Sequence, residues 1–231
     1  MEYLPAHGNP FKHIHGILQL VYTGIMMKTD RIKALYDDLQ SRHGRPRDQW
    51  RLWCKRPKTM RDREQIAIEA ILTQHTNWRN VETAVASLRR ARALSFDGLA
   101  RFARRPETLW SLIRPAGFYR GKTRSLLSLA RFVRTAGGMR NLLQQDSMQL
   151  RSALLRLPGI GFETADSILL YACDKPSFVI DEYTRRLVRS QRIASDFSYE
   201  YLRHLFEKSL RKDYRVYQDF HARIVIDGKQ R

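Results

Sequence analysis

Two short stretches of the chain contain residue types whose spacing suits chemistry. The first is the turn Pro158-Gly159-Ile160-Gly161, and the second is Asp181, which follows the apolar run Phe178-Val179-Ile180. Glycines let one backbone approach another closely, and the free amides that open a following helix attract an anion such as a phosphate. An ionised carboxylate can stabilise a developing positive charge or deprotonate an attacking water. Plainer interpretations also fit, because an αα-corner needs glycine in its turn and an aspartate before a helix caps it.

The sequence on both sides of the turn has the apolar spacing of helices. The apolar positions are Leu150, Ala153, Leu154 and Leu157 before the turn, and Ala165, Ile168, Leu169 and Ala172 after it. Spacings of three and four residues place each set on one helical face. Residues 147–173 are therefore predicted to form a helix-hairpin-helix in which Gly159, Ile160, Gly161 and Thr164 contact a DNA backbone.

The rest of the chain also predicts helices. Apolar spacing predicts them over 30–39, 65–74, 80–90, 122–134 and 182–191, and only 178–180 reads as a strand. The predicted fold class is all-α. We expect two helical subdomains flanking a cleft: 62–174, which contains the hairpin, and a second one made of 29–61 plus 175–231. Residues 1–28 are predicted to be an N-terminal extension, with the true start at Met26 or Met27.

The charge of the chain favours a polyanionic partner. Its 231 residues include 42 Lys and Arg against 23 Asp and Glu, a formal net charge of +19. Nucleic acid is the commonest polyanion that such an excess serves. With 43% hydrophobic residues the chain can also bury a core, which excludes a disordered basic tail. Lys122 lies in a stretch that carries four arginines and no acid, so it is predicted to contact the DNA backbone.

The most basic stretch, residues 43–63, contains two tryptophans. Trp50 and Trp53 are interleaved with lysines and arginines there. Aromatic rings among cations can stack on unstacked bases, but two tryptophans can equally anchor a solvated basic loop. Composition does not choose between these interpretations.

Composition excludes several other classes of protein. No run of 18 apolar residues is present, so no spanning helix and no membrane partner are expected. The only cysteines, Cys54 and Cys173, exclude a disulfide framework, a four-cysteine zinc site and a four-cysteine iron–sulfur cluster. We expect a reducing compartment, a cytoplasmic location associated with the nucleoid, and no cofactor or metal.

The order of these motifs is similar to that of a known family. Residues 157–165 followed by Val179-Ile180-Asp181 resemble the helix-hairpin-helix DNA glycosylase superfamily, of which endonuclease III is a member. The resemblance extends from about residue 29 to the C-terminus. Residues 71–80, 113–119 and 220–223 are most similar to its iron–sulfur-free branch, which includes the type III 3-methyladenine DNA glycosylases.

The resemblance implies a set of site residues. Asp181 becomes the catalytic carboxylate, and Gln74 the residue inserted into the duplex when a base flips out. Trp78 matches an aromatic ring that stacks on the flipped base, and Trp53 matches a pocket element ahead of a proline, although its spacing to that proline differs from the branch pattern. Without the resemblance, Gln74 is an ordinary residue at a helix end and both tryptophans are core residues.

Two departures from the family bear on the chemistry. Bifunctional members have a lysine at the position of Glu163, and a carboxylate cannot form an imine. The resemblance therefore implies water attack and a monofunctional enzyme, with Glu163 either in the base pocket or on the hairpin surface. A pocket lysine of the 3-methyladenine branch is matched here by Arg223, which puts the chemistry of that lysine in doubt.

The expected function is base excision. A cationic alkylated purine such as 3-methyladenine is attracted to an aromatic face and leaves readily, which suits a site with one aspartate and no evident proton donor. The expected partner is double-stranded DNA with a damaged base, bound by a monomer. The alternatives are a glycosylase for mismatched or deaminated bases, a non-catalytic helix-hairpin-helix DNA-binding protein, and an RNA-binding helical protein.

Overall fold

The computed structural model describes the backbone of residues 10–230 and the side chains from residue 26 onward, and this part of the chain contains helices and no strand. The all-α prediction is confirmed. The α-helices are α1 (Pro10–His43), α2 (Trp50–Trp53), α3 (Met60–Leu72), α4 (Trp78–Arg90), α5 (Phe96–Ala100), α6 (Pro106–Ile113), α7 (Tyr119–Thr135), α8 (Met139–Gln144), α9 (Ser147–Leu155), α10 (Phe162–Ser167), α11 (Glu182–Ser190), α12 (Tyr199–Ser209) and α13 (Tyr214–Gln230). A 3₁₀ turn covers Arg114–Ala116, and a π-helical turn continues α10 over Ile168–Ala172.

The helices form where apolar spacing and capping residues coincide. Helix α4 buries Val81, Ala84, Val85 and Leu88, which recur every three or four residues. Its first turn is capped by Asn77, whose side chain accepts a hydrogen bond from the Asn80 amide. Helix α3 begins with a capping box between Thr59 and Asp62. The buried side chains of all helices belong to one continuous apolar core.

Two groups of helices meet at the π-helical turn. Helices α3 to α7 form one connected group, and in the other α1 packs against α12 and α13, with α11 also on α13. The π-helical turn is fully buried and contacts both α3 and α13, so it joins the two groups. The division into 62–174 and its flanks stays a prediction, although the contacts follow its outline.

Some boundaries differ from the predicted ones. Helix α3 ends at Leu72, so Gln74 lies beyond it, and residues 178–180 are a buried extended segment that pairs with no strand in the described chain. Residues 1–9 of the predicted extension lie outside the described residues, while 10–28 form part of α1. The choice of start residue stays a prediction. Among the helices that the structure describes, none has the length and apolar character needed to cross a membrane.

Candidate active site

The hairpin between α9 and α10 packs against α7 on its inner side. Gly159 has φ +73, a conformation that glycine adopts without strain, and a Cβ at this position would overlap the Ser125 hydroxyl of α7. The Ile160 side chain is buried, and its amide donates to the Leu157 carbonyl at 3.2 Å. Gly159 and Ile160 therefore fix the turn onto α7.

The outer side of the same hairpin is open. Gly161 has an extended backbone with φ −90, and a Cβ there would meet no atom within 4 Å. The first backbone bond of α10 runs from the Ala165 amide to the Gly161 carbonyl at 2.9 Å, so the amides of residues 161–164 precede the helical ladder. A groove of about 910 Å³ lies outside them. This surface can accept an anion at the positive end of α10.

Two predicted DNA-backbone contacts, those of Lys122 and Ile160, are corrected, and that of Thr164 is confined to its backbone amide. The Lys122 side chain is buried, and its Nζ donates to the carbonyls of Leu72 at 2.8 Å and Ala116 at 2.7 Å, so it cannot reach a phosphate. Burial lowers the pKa of Lys122 to about 8. Ile160 uses its amide within the turn, and the buried Thr164 hydroxyl accepts a hydrogen bond from Gln74. Of these three residues, only Thr164 keeps a backbone amide on the open side of the hairpin.

A pocket of about 260 Å³ opens beside the hairpin groove. Its walls come from distant parts of the chain and include Trp50, Trp53, Trp78, Glu163, Asp181 and His221. Glu163 and Asp181 also line the hairpin groove, so the two spaces share a boundary. The structure thus brings together Asp181, Glu163, Trp53 and Trp78, which the sequence resemblance grouped as site residues.

Asp181 caps a helix and faces the pocket at the same time. Its Oδ1 accepts hydrogen bonds from the Thr184 amide at 2.8 Å and the Thr184 hydroxyl at 2.9 Å, as the N-cap of α11. Its Oδ2 lies 3.4 Å from His221 Nε2. Burial acts to raise the pKa of Asp181, but the His221 ring and the Thr184 hydrogen bonds lower it by more, so the pKa lies below its ordinary value. The carboxyl is therefore ionised at neutral pH.

His221 is a pocket residue that the sequence did not single out. It is buried on α13, and its Nδ1 is 2.7 Å from the Tyr171 hydroxyl. The tautomer of the ring decides which group donates between Nδ1 and the Tyr171 hydroxyl, which also lies 3.2 Å from the Gln218 carbonyl. The separation of 3.4 Å from Asp181 exceeds an ordinary hydrogen bond, so we treat the contact as electrostatic. The sequence offered one signal for it: His221 lies four residues after Tyr217 and four before Val225, so it shares their buried helical face.

Aromatic rings form the apolar side of the pocket. Trp50 and Trp53 meet edge to face at 5.9 Å, and Trp53 meets Trp78 at 6.3 Å. Trp53 is buried, and its Nε1 donates to the buried carboxyl of Glu69 at 2.7 Å. The buried Trp50 Nε1 has no hydrogen-bond partner among the described residues. Both tryptophans of the basic stretch thus line the pocket, so they do not merely anchor a solvated loop, and stacking on an unstacked base stays a prediction.

Glu163 lies where the pocket meets the hairpin groove. Solvent reaches part of its side chain, yet loss of water around the carboxyl, followed by the charge of Asp181, raises the pKa of Glu163 to about 6. The two neighbouring carboxyls are therefore held apart in pKa, with Asp181 ionised first.

The C-terminal helix places a lysine, not Arg223, at the pocket. Arg223 is buried away from it, with Nε donating to the Gly44 carbonyl at 2.8 Å and the guanidinium over the Tyr36 ring. Lys229, six residues after Arg223 on α13, lines the pocket, and its Nζ donates to Gln49 Oε1 at 2.8 Å. Burial lowers the pKa of Lys229, against the opposing effect of Asp181. Arg223 therefore does not line the pocket, and its match to the family's lysine stays a prediction.

The rim of the groove carries one tethered and one free side chain. Gln74 Nε2 donates to the Gly159 carbonyl at 3.0 Å and the Thr164 hydroxyl at 2.8 Å, so the amide is bound to the hairpin. Phe118, which sequence reasoning missed, is 72% exposed and has φ +46, an uncommon backbone conformation for a bulky residue. Its ring lies beside His75, the neighbour of Gln74.

No group of three or more metal-ligating side chains occurs among the described residues. The expectation that the enzyme works without a metal or cofactor stays a prediction.

Three comparisons with known proteins point to one family. The family model for the HhH-GPD superfamily base excision DNA repair protein matches residues 68–212. The curated protein "Putative DNA repair glycosylase MJ1434" of Methanocaldococcus jannaschii is 39% identical over 172 residues, which cover 73% of this chain and 77% of that protein.

Solved structures of similar fold agree with that match. The crystal structure of H. pylori 3-methyladenine DNA glycosylase bound to 1,N6-ethenoadenine is 27% identical, with a TM-score of 0.69 over 88% of this chain and 97% of that one. A trapped endonuclease III–DNA covalent intermediate is 18% identical, with a TM-score of 0.67 over 87% and 86% of the two chains, and is a likeness of fold.

Proposed function

The chain belongs to the HhH-GPD superfamily of base excision DNA repair proteins, and as a DNA glycosylase of that superfamily we propose that it hydrolyses the N-glycosidic bond of a flipped alkylated purine. The observation that carries this proposal is the position of Asp181. Its ionised carboxyl lies on the boundary between an aromatic pocket and the open amides of a helix-hairpin-helix. A strand held at the hairpin amides would present a flipped nucleotide to both.

The proposed chemistry follows from the charges around that boundary. As the glycosidic bond breaks, positive charge develops on the sugar, and the Asp181 carboxylate stabilises it or deprotonates the attacking water. His221, 3.4 Å from Oδ2, keeps Asp181 ionised from the opposite side. Asp181 is therefore the proposed catalytic residue and His221 a positioning residue.

The pocket lining supports an alkylated purine as the base. The aromatic rings of Trp53 and Trp78 attract a base with a fixed positive charge. The carboxyls of Asp181 and Glu163 at the mouth of the pocket add a negative potential that attracts the same base. The unpartnered N–H of Trp50 would gain a hydrogen-bond acceptor from an occupying base after a small shift of the indole. A cationic base is also a good leaving group and needs no separate acid.

The proposed reaction is monofunctional because a carboxylate stands at the lyase position. Glu163 is at the start of α10, where it faces the groove. Neither Lys122 nor Lys175 offers a free amine in its place, because Lys122 Nζ donates to the carbonyls of Leu72 and Ala116, and Lys175 Nζ to those of Leu143 and Gln145. Lys229 is the pocket lysine, so it is the amine that a test for lyase activity must examine.

Gap filling in the duplex is assigned to the groove rim. Phe118 projects from the start of α7 as a free aromatic ring, so it fits insertion between bases. Gln74 would need to exchange its two hairpin hydrogen bonds for contacts in the duplex. We propose that both residues face the space left by the flipped base, with Phe118 as the wedge.

The decisive experiment measures base release and strand cleavage separately on methylated DNA and on duplexes with single defined lesions. We expect release of 3-methyladenine without strand cleavage. Asp181→Asn serves as the inactive variant, and Asp37→Asn, an exposed carboxylate on α1, serves as its matched control.

Each other outcome identifies a rival function. Release of only deaminated or mismatched bases would replace the alkylated purine. DNA binding without release of any base would make the protein a passive clamp, and preference for RNA would move the protein out of base repair. Strand cleavage accompanied by an enzyme–DNA adduct that borohydride traps would contradict hydrolysis. Loss of that adduct in Lys229→Arg would assign the imine to Lys229.

A further inference from the structure

A second basic surface lies on α7, outside the site described above. Arg120, Arg124 and Arg131 are exposed on one face of the helix and border a groove of about 410 Å³. Trp110 of α6 and Pro158 of the hairpin form its other wall, and no acidic side chain lines it. We call this space the α7 groove.

The three arginines are free to take an external ligand. None of them forms an ion pair or a hydrogen bond within the part of the chain that the structure describes, whereas arginines such as Arg151 and Arg203 are paired with carboxylates. Arg120 lies over the Trp110 ring, with its guanidinium carbon 5.0 Å from the ring centre. The stacking orders this side chain without using its five N–H donors.

The α7 groove is continuous with the hairpin. Helix α7 begins directly after Phe118 at the rim of the hairpin groove, and the Gly159 turn packs on Ser125 within the helix. Pro158 lines the α7 groove, while Gly159 lines the hairpin groove. A strand that leaves the hairpin on the side of Pro158 therefore meets the arginine face of α7, in a groove that no acidic side chain lines.

We propose that the α7 groove is a second phosphate-binding surface that holds the DNA flank beyond the hairpin, outside the lesion. From position 120 to 131 the helix rises about 16 Å. Each DNA strand carries one phosphate for about every 3.4 Å of the duplex axis, so the three arginines can face separate phosphates. At the base of the groove, the buried Thr123 hydroxyl has no hydrogen-bond partner among the described residues. A phosphate or its bound water at this place would supply one.

The proposal rests on DNA as the ligand of the hairpin and does not require base excision. An acidic segment of another protein is the other occupant that the charge would accept. The observations favour DNA, because the groove joins the hairpin directly and its arginines follow the helix axis as phosphates follow a strand.

The test compares DNA length with charge removal. The variant carries Arg120→Ala, Arg124→Ala and Arg131→Ala together. The matched control carries Lys208→Ala, Lys212→Ala and Arg215→Ala, which remove the same charge from an exposed surface that lines none of the three spaces described here. Affinity is measured on lesion-free duplexes that are shortened one base pair at a time from either end, between about 50 and about 200 mM salt.

On long duplexes we expect the α7 variant to bind about 10- to 100-fold more weakly at about 100 mM salt, with a salt slope smaller by about 2 to 3. The loss should shrink to less than about 2-fold once the duplex is no longer than the stretch that the hairpin site alone can cover. The control should lose less than the variant at every length. The Arg→Lys triple variant should recover the salt slope, since it restores charge.

Two results would overturn the proposal. An equal loss at every duplex length, or the same loss in the control, would mean that the arginines act only through net charge. Unchanged DNA binding together with lost capture of an acidic peptide would assign the groove to a protein partner. Circular dichroism of each variant verifies folding, and base release from a separate duplex of the shortest length that carries one alkylated purine reports on the proposed enzymatic function independently.

Discussion

In the function proposed above, the pocket and the hairpin recognise DNA by different means. The hairpin presents backbone amides from four consecutive residues, 161–164, and its side chains serve mainly to hold the turn on α7. The pocket presents side chains from α2, α4, α11 and α13, each placed by packing far from its neighbours in sequence. Backbone amides cannot distinguish one base from another, whereas ring faces and carboxyls can. The hairpin therefore supplies position, and the pocket supplies chemistry and choice.

The largest expected effect removes the pocket's charge and leaves the hairpin intact. Asp181→Asn should lower the excision rate about 10²- to 10⁴-fold, because the carboxylate that stabilises the sugar cation is lost. Asparagine is as good an N-cap as aspartate, so α11 should keep its start and the melting temperature should change little. Single-turnover base release and DNA affinity, measured side by side, test this. Near-normal turnover would remove Asp181 from the mechanism.

A smaller loss should follow from removing one ring of the pocket. Trp78→Ala should reduce kcat/KM about 10- to 100-fold, since stacking on an aromatic ring is worth roughly 1–3 kcal/mol per base. Phe197→Ala, a half-buried aromatic residue that lines neither the pocket nor either groove, is the control for excision at the same DNA concentration. If both variants lose activity equally, Trp78 has no special place at the base.

The two hairpin glycines should separate folding from binding. Gly161→Ala adds a methyl group to open space, so the fold should keep its stability while affinity for any duplex falls about 10-fold, as the phosphate is kept at a distance. Gly159→Ala forces φ +73 on alanine against Ser125 and should destabilise the protein by roughly 1–3 kcal/mol. Thermal melts and binding titrations of both variants decide this. Reversed results would exchange the roles of the two glycines.

The smallest expected effect is a pH dependence from Glu163. Its pKa of about 6 means that the carboxyl is neutral below this pH and negative above it. The negative Glu163 carboxylate stabilises the bound cationic base and the positive charge that develops on the sugar. The excision rate should therefore rise about 5-fold as pH increases from about 5 to about 7. Asp181 stays ionised throughout, because its pKa is lowered. A pH profile of Glu163→Gln should be flat over this range, and a persistent step would assign the titration to another group.

The hairpin side of this comparison was largely predictable from sequence. The turn at 158–161 and the cap at Asp181 are short-range features, because glycine conformations and helix starts depend on adjacent residues. The position of Asp181 beside the hairpin came from the family resemblance. The structure adds the division of labour between Gly159 and Gly161, which depends on whether α7 or solvent lies opposite each one.

The pocket side was less predictable because its parts are distant in sequence. His221 and Lys229 come from the last helix, and no local pattern marks them as partners of Asp181. Lys122 shows a different failure. It precedes Leu126 and Leu129 by four and seven residues and therefore shares their buried face, but its charge was given more weight than this spacing.

The buried Lys122 has a consequence for the edge that meets the duplex. Its ammonium group joins the carbonyl of Leu72, two residues before Gln74, to that of Ala116, two residues before Phe118. One internal cation thus ties together the two segments that carry the side chains proposed to enter the vacated base step, even before DNA arrives. Lys122→Met, which removes the charge and both hydrogen bonds, would uncouple these segments although the lysine itself never touches DNA.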